Sequence, residues 1–119
     1  MKTSQINVTK TMLEKSICDC NKQTRDMLKA AGIVDYDKIE AGEKITIQAS
    51  FKNPETGKKQ DVKVSCYRAN KRGDKRIWVN GIKSLANAGQ VLSFTVRNGK
   101  LSIAVKSCAV IIQLMKLAA

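Results

Sequence analysis

The chain contains no histidine, and only 10 of its 119 residues are Asp or Glu. Without imidazole, the commonest general base and the commonest metal ligand are missing, so hydrolase triads and histidine-based zinc sites are excluded. The few acids of the basic half, Glu55, Asp61 and Asp74, stand singly among cations. Nothing resembles paired carboxylates, a phosphate-binding glycine loop or a dinucleotide fingerprint. These absences point away from an enzyme and away from any bound cofactor.

Long apolar runs are lacking too. No stretch approaches the roughly 20 apolar residues of a helical membrane span, and the opening MKTSQINVTKTML has no signal-peptide core. The expectation is an unsecreted protein of the cytoplasm, nucleoid or nucleus, with its cysteines reduced. Of those four cysteines, Cys18 and Cys20 are one residue apart, short of the usual zinc-ligand spacing, and Cys66 and Cys108 are distant. Cys66 falls in phase with Val62 and Val64, and Cys20 in helical phase with Ile17, as small core hydrophobes would. Core packing is therefore expected, and no metal.

What is abundant is positive charge: 22 Lys and Arg give a formal net charge of +12. Residues 1–43 are balanced, seven cations against seven anions, whereas residues 44–106 hold fourteen against three. Charge segregated in this way is the electrostatic footprint expected for a polyanionic partner. With 43% hydrophobic residues, the length suits one domain with one modest core.

Periodicity divides the chain at the same place. Thr11 to Glu14 matches a capping box, and Leu13, Ile17 and Cys20 share one helical face, predicting a helix over about 12–20. Thr24 can cap a second helix whose apolar face is Met27, Leu28 and Ala31, ended by Gly32. From Lys44 the period becomes two: Ile45, Ile47, Ala49 and Phe51, then Val62, Val64 and Cys66, with Pro54 and Gly57 marking the turn of a hairpin. RIWVN reads as a short strand, and GIKSLANAG as one helical turn ending at Gly89. Asn98-Gly99, flanked by Leu92, Phe94 and Val96 and by Leu101, Ile103 and Val105, predicts a second hairpin with a type I′ turn. The final AVIIQLMKLAA fits a buried strand or a helix equally well.

Between the second and third of these strand segments lies the densest charge. YRANKRGDKRIWVNG carries Arg68, Lys71, Arg72, Lys75 and Arg76 against one Asp, with Asn70 among them. Such a loop on a rigid sheet can neutralise phosphates and present Arg and Asn donors to base edges, although a solvated hairpin would look the same. Trp78 alternates with Ile77 and Val79, so it points to the other face. There it could stack on an unpaired base, but a lone Trp in a short apolar strand more often covers a second face of the sheet. With aromatics at 4% and no aromatic pair read on adjacent basic strands, a stacking platform for single strands or RNA is not expected.

The order of these features has a counterpart. A strand ending in Phe51, a turn with Gly57-Lys58, VKVSCYRAN, a basic loop, RIWVNGIKSL, then AGQVLSF and LSI resembles the DNA-binding pseudobarrel superfamily over about residues 44–105. That superfamily includes plant auxin-response-type transcription-factor domains and restriction-enzyme target-recognition domains. AGQVLSF stands where its members carry a Gly-Asp-x-Leu-x-Phe-like element, with Gln90 at the usual Asp. The resemblance implies two arms gripping the major groove. One maps onto Arg68, Asn70, Lys71 and Arg72, the other onto the N-terminal region with Lys15, Asn21, Lys22 and Arg25. Members begin with a strand and loop, whereas this N-terminal region reads as helical and neutral.

The expected fold class is therefore α+β: one domain over 1–119, with short helices in a mainly helical 1–43 and a mainly antiparallel, partly closed, pseudobarrel-like β-barrel in 44–119. The expected function is non-catalytic binding of double-stranded DNA. Lys52, Lys58, Lys59, Lys63 and Lys75 would hold phosphates, and Arg68, Asn70, Lys71, Arg72 and Arg76 would lie closest to the bases. A protein of phage or mobile-element type that docks its basic face on an acidic protein or nucleoprotein is the rival reading; RNA binding is the third.

Overall fold

The computed structural model describes residues 2–53 and 56–107. Six strands form one mixed sheet in the order β1-β5-β6-β2-β3-β4, curled into a half-barrel, with β1 Lys2–Asn7, β2 Lys44–Lys52, β3 Lys59–Arg68, β4 Lys75–Val79, β5 Gln90–Arg97 and β6 Lys100–Ser107. Every pairing is antiparallel except β2 with β6. The helices are α1 Lys10–Lys15, α2 Lys22–Ala30 and α3 Ile82–Leu85, with a 3-10 turn at Tyr36–Lys38. The class is α+β, as the period change at Lys44 predicts. No helix among the described residues is long and apolar enough to cross a membrane.

The two hairpins form where the turn chemistry puts them. Asn98 and Gly99 both adopt positive φ, 54° and 72°, the requirement of the type I′ turn joining β5 to β6. In β2–β3, Ala49 faces Val62 and Ile47 faces Val64 across the inner surface, where Ala49, Phe51, Val62 and Val64 are buried. Phe94, Leu92 and Ile103 complete the sheet side of the core, and Leu28, Met27, Tyr36 and Ile39 close it from α2 and the segment that follows. Ile45, at the start of the alternation, stays 42% exposed because the inner surface runs past the lid there.

The N-terminal region departs from its sequence reading in three ways. Residues 2–7 are a strand, not part of a mainly helical region: β1 pairs along β5 from Lys2↔Val96 to Asn7↔Val91. The helix expected over 12–20 is α1 at Lys10–Lys15. Its cap is Thr9, whose hydroxyl accepts from Met12 N at 3.1 Å, and Ser16 ends it in the left-handed region. Residues beyond it cannot stay helical because β4 takes their backbone: Ile77 N donates to Cys18 O at 2.9 Å and Cys20 N to Lys75 O at 3.0 Å. Thr24 is not the cap of α2 either. Asn21 is, its Oδ1 accepting from Thr24 N at 3.0 Å, while Thr24 turns inward to share a buried 2.8 Å hydrogen bond with Ser4. Gly32, at φ 72°, follows the end of α2 as expected.

One short segment therefore covers both open edges of the half-barrel. β1 pairs the free edge of β5, and Cys18–Cys20 pairs the free edge of β4, with α1 crossing between them. Unpaired strand edges invite association with other chains, and this segment pairs those of β5 and β4, leaving β1 as the outer strand. The turn expected to run to Gly89 is shorter, α3 ending at Leu85 with Ala86 extended as its C-cap. Pro54, Cys108 and residues 109–119 lie outside the described residues.

Candidate nucleic-acid interface

Alternation and register together assign the surfaces of the β2–β3–β4 ribbon. Val64 and Cys66 face inward opposite Val79 and Ile77, so Lys63, Ser65 and Tyr67 of β3 and Arg76 and Trp78 of β4 share the outer face. On β2 the outward positions are Lys44, Thr46, Gln48, Ser50 and Lys52. Cross-strand rows follow: Lys44–Tyr67–Arg76, Thr46–Ser65–Trp78, Gln48–Lys63, and Lys52–Lys59 at the far end. Asp61 is the one anion on this face of β3.

The basic loop between β3 and β4 is built as a rigid turn. Ala69 N donates to Asp74 O and Gly73 N to Ala69 O, both at 3.0 Å. Arg68 lies partly buried beneath it: Nε donates to Gly73 O at 3.0 Å and a terminal nitrogen to Ile39 O at 3.1 Å. Gly73, at φ 69°, leaves room for that guanidinium, which a Cβ would meet at 2.9 Å. Gly42, at φ 89°, plays the same part for the Asn70 side chain, whose oxygen a Cβ would meet at 2.5 Å. Arg68 is thus a brace of the loop, and the solvent-facing cations of the turn are Lys71 and Arg72.

The other residues singled out in the sequence divide into three groups. Lys52, Lys58, Lys59 and Lys63 are exposed along β2–β3 and the start of its turn, with no carboxylate partner among the described residues. Arg76 is drawn towards acids, its terminal nitrogen 3.3 Å from Asp74 and Nε 3.8 Å from Asp19, a distance too long for a hydrogen bond; Nε is buried without one. Lys22, Arg25 and Lys75 lie in a mixed-charge patch on the α2 side. There Lys22 pairs with Asp26, Lys75 with Asp37 at 3.3 Å, and Arg25 donates to Cys20 O. The Lys75 hydrogen bond and charge, with Lys29 nearby, hold the Asp37 carboxyl below its ordinary range. Lys15 is exposed at the end of α1, and Asn21 is spent on capping α2 and donating to Gln5 O at 2.8 Å.

The outer face also holds a cleft of about 580 Å³ between the Gly42–Lys44 segment and the sheet. Its walls include Tyr67, Trp78, Arg76, Asn70 and Asn80. Tyr67 and Trp78 are diagonal neighbours on adjacent strands, since Ser65 pairs with Trp78 and Tyr67 with Arg76. An aromatic pair on adjacent basic strands therefore exists, contrary to the sequence reading. Trp78 also rests against the edge of the core, as its apolar neighbours suggest. Lys44, Tyr67 and Asn80 escaped notice because the strand register, and not composition, brings them beside Arg76. The polar phase of β2 and β3 carried the signal.

The cysteines take no part in this surface. Cys18, Cys20 and Cys66 are buried free thiols, and no group of three or more His, Cys, Asp or Glu among the described residues is arranged to hold a metal. Burial pushes Cys18 up to about 11 and Cys20 up to about 12, and raises Cys66 as well. Burial likewise raises the phenol of Tyr36, which donates to Arg76 O at 2.8 Å. The folded chain therefore keeps protons that the unfolded chain releases near the ordinary thiol value of 9.0. Stability is full below that value and should fall as pH rises through about 11 and 12. Urea midpoints measured from neutral to alkaline pH should decline, and Cys18→Ala with Cys20→Ala should flatten the decline. An equal slope in the double variant would contradict this origin.

Among solved structures, the chain is similar to the N-terminal domain of Helicobacter pylori LlaJI.R1, at 14% identity and a TM-score of 0.47, over 97% of this chain and 99% of that one. No family model matches the chain, and no curated protein matches it.

Proposed function

We propose that the protein is a non-catalytic binder of double-stranded DNA, using the outer face of the β2–β3–β4 ribbon together with the tip of the β3–β4 loop. The observation that carries this reading is the run of exposed cations along that ribbon with no carboxylate partner among the described residues: Lys52 and Lys59 facing each other, Lys63 midway, and Lys71 and Arg72 at the tip. At about 3.3 Å per residue, the ten residues of β3 span about 30 Å, close to one turn of duplex. Lysines at that spacing suit successive phosphates, and the rigid turn presents Lys71 and Arg72 to the groove edge. Arg68 serves this function indirectly, by holding the turn.

Arg72→Ala should weaken duplex binding by about fivefold or more, the cost of one lost phosphate or base contact. Lys38→Ala, on the 3-10 turn, should leave binding at the wild-type level. Fluorescence anisotropy with a labelled duplex reads both, and equal effects would contradict the assignment. Retention on heparin without retention on duplex DNA at the same ionic strength would instead favour an acidic protein as the partner.

A further inference from the structure

The aromatic cleft offers chemistry that phosphate binding does not use. A phosphate needs donors and charge, and the exposed lysines of the ribbon already supply these. Two aromatic rings set diagonally over a sheet, flanked by the amides of Asn70 and Asn80, offer instead flat apolar area together with donors and acceptors at its rim. Arg76 also lines the same wall. A ligand complementary to this lining is planar, aromatic on its faces and polar around its edge.

We propose that this cleft receives one unstacked nucleobase, stacked against Trp78 and Tyr67, with its edge met by Asn70, Asn80 and Arg76. This rests on the nucleic-acid reading above and specifies how one nucleotide is held. Stacking on aromatic side chains tolerates every base because each has a π-face, so the cleft selects the unpaired state. Volume agrees, since about 580 Å³ is within the range of nucleotide-sized pockets. Lys44, on the row beside Tyr67 and Arg76, stands where the phosphate attached to that nucleotide can be neutralised. The base can be extruded from a duplex or belong to a single-stranded end; the chemistry recognised is the same.

Trp78 is the only tryptophan, so its emission reports on the cleft directly. The full chain is titrated with four labelled DNAs: a paired duplex, the same duplex with a one-base bulge, the bulged duplex made abasic at that position, and a single strand. Anisotropy of the label reads binding, and tryptophan emission reads the cleft. The bulged duplex should quench Trp78 and bind about tenfold more tightly than its abasic counterpart, the scale of one base stacked on an aromatic residue. Tyr67→Leu, which keeps apolar bulk and leaves the reporter in place, should abolish that preference. Quenching by the single strand as well assigns the source to any unpaired base; quenching by the bulge alone assigns it to extrusion. If the DNAs bind by anisotropy while the bulged and abasic duplexes give the same emission and affinity, the cleft does not take a base and the DNA-binding reading stands. If no DNA binds, both fall.

Discussion

Raising monovalent salt from about 50 to about 200 mM should weaken binding to duplex DNA by about 500-fold, the loss expected if about five phosphates are neutralised and their counterions released. The count comes from the ribbon and its loop: Lys52, Lys59, Lys63, Lys71 and Arg72 are exposed with no carboxylate partner among the described residues, and Lys44 borders the same face. Arg76 adds less, because Asp74 and Asp19 already compensate its charge. Lys75 and Lys22 add nothing while they remain paired with Asp37 and Asp26. Asp61, within the stripe, subtracts a little. The measurement is an anisotropy titration repeated across salt concentrations. A logarithmic slope shallower than about −2 would mean that no more than two phosphates are engaged, and would remove the ribbon-length footprint.

Arg68→Ala should lower the unfolding free energy by about 2–4 kcal/mol, because it deletes two hydrogen bonds from a charged, partly buried donor and leaves the carbonyls of Gly73 and Ile39 without it. These bonds join points 5 and 29 residues away, so the guanidinium ties the β3–β4 turn to the segment after the 3-10 turn. Arg68→Lys should rescue little, since a single ammonium cannot reproduce a planar fork reaching two acceptors in different directions. Urea unfolding checks both variants, and DNA binding below the unfolding transition should weaken as the turn loses its brace. An arginine that only touched phosphate would weaken binding and leave stability at the wild-type value. That pattern would overturn the bracing role.

How much of this was visible in the sequence depends on the range of the interaction concerned. The hairpins were legible because their signals are local: Asn98-Gly99 satisfies a turn that needs positive φ at both positions, and alternation in 45–51 and 62–66 states which side chains share a face. β1 was not legible. KTSQIN carries a single buried apolar residue, Ile6, and becomes a strand because β5 supplies its partners, while Ser4 is satisfied by Thr24 from α2. Likewise Cys18–Cys20 has helical phase with Leu13, but the edge of β4 offers its backbone a ladder that local propensity cannot anticipate.

The same division runs through the candidate site. The sequence alone determined that positive charge is segregated into residues 44–106 and that imidazole is absent, because these are sums over residues and need no coordinates. Only the folded chain decided which cations remain available. Arg68 braces its own loop, Lys75 meets Asp37 from the 3-10 turn, and Tyr67 comes beside Trp78 through register. A side chain's charge is written in its identity, but its availability depends on which carbonyls and carboxylates the fold brings within about 4 Å, and those can come from distant residues, as Asp37 does for Lys75 and Asp19 for Arg76.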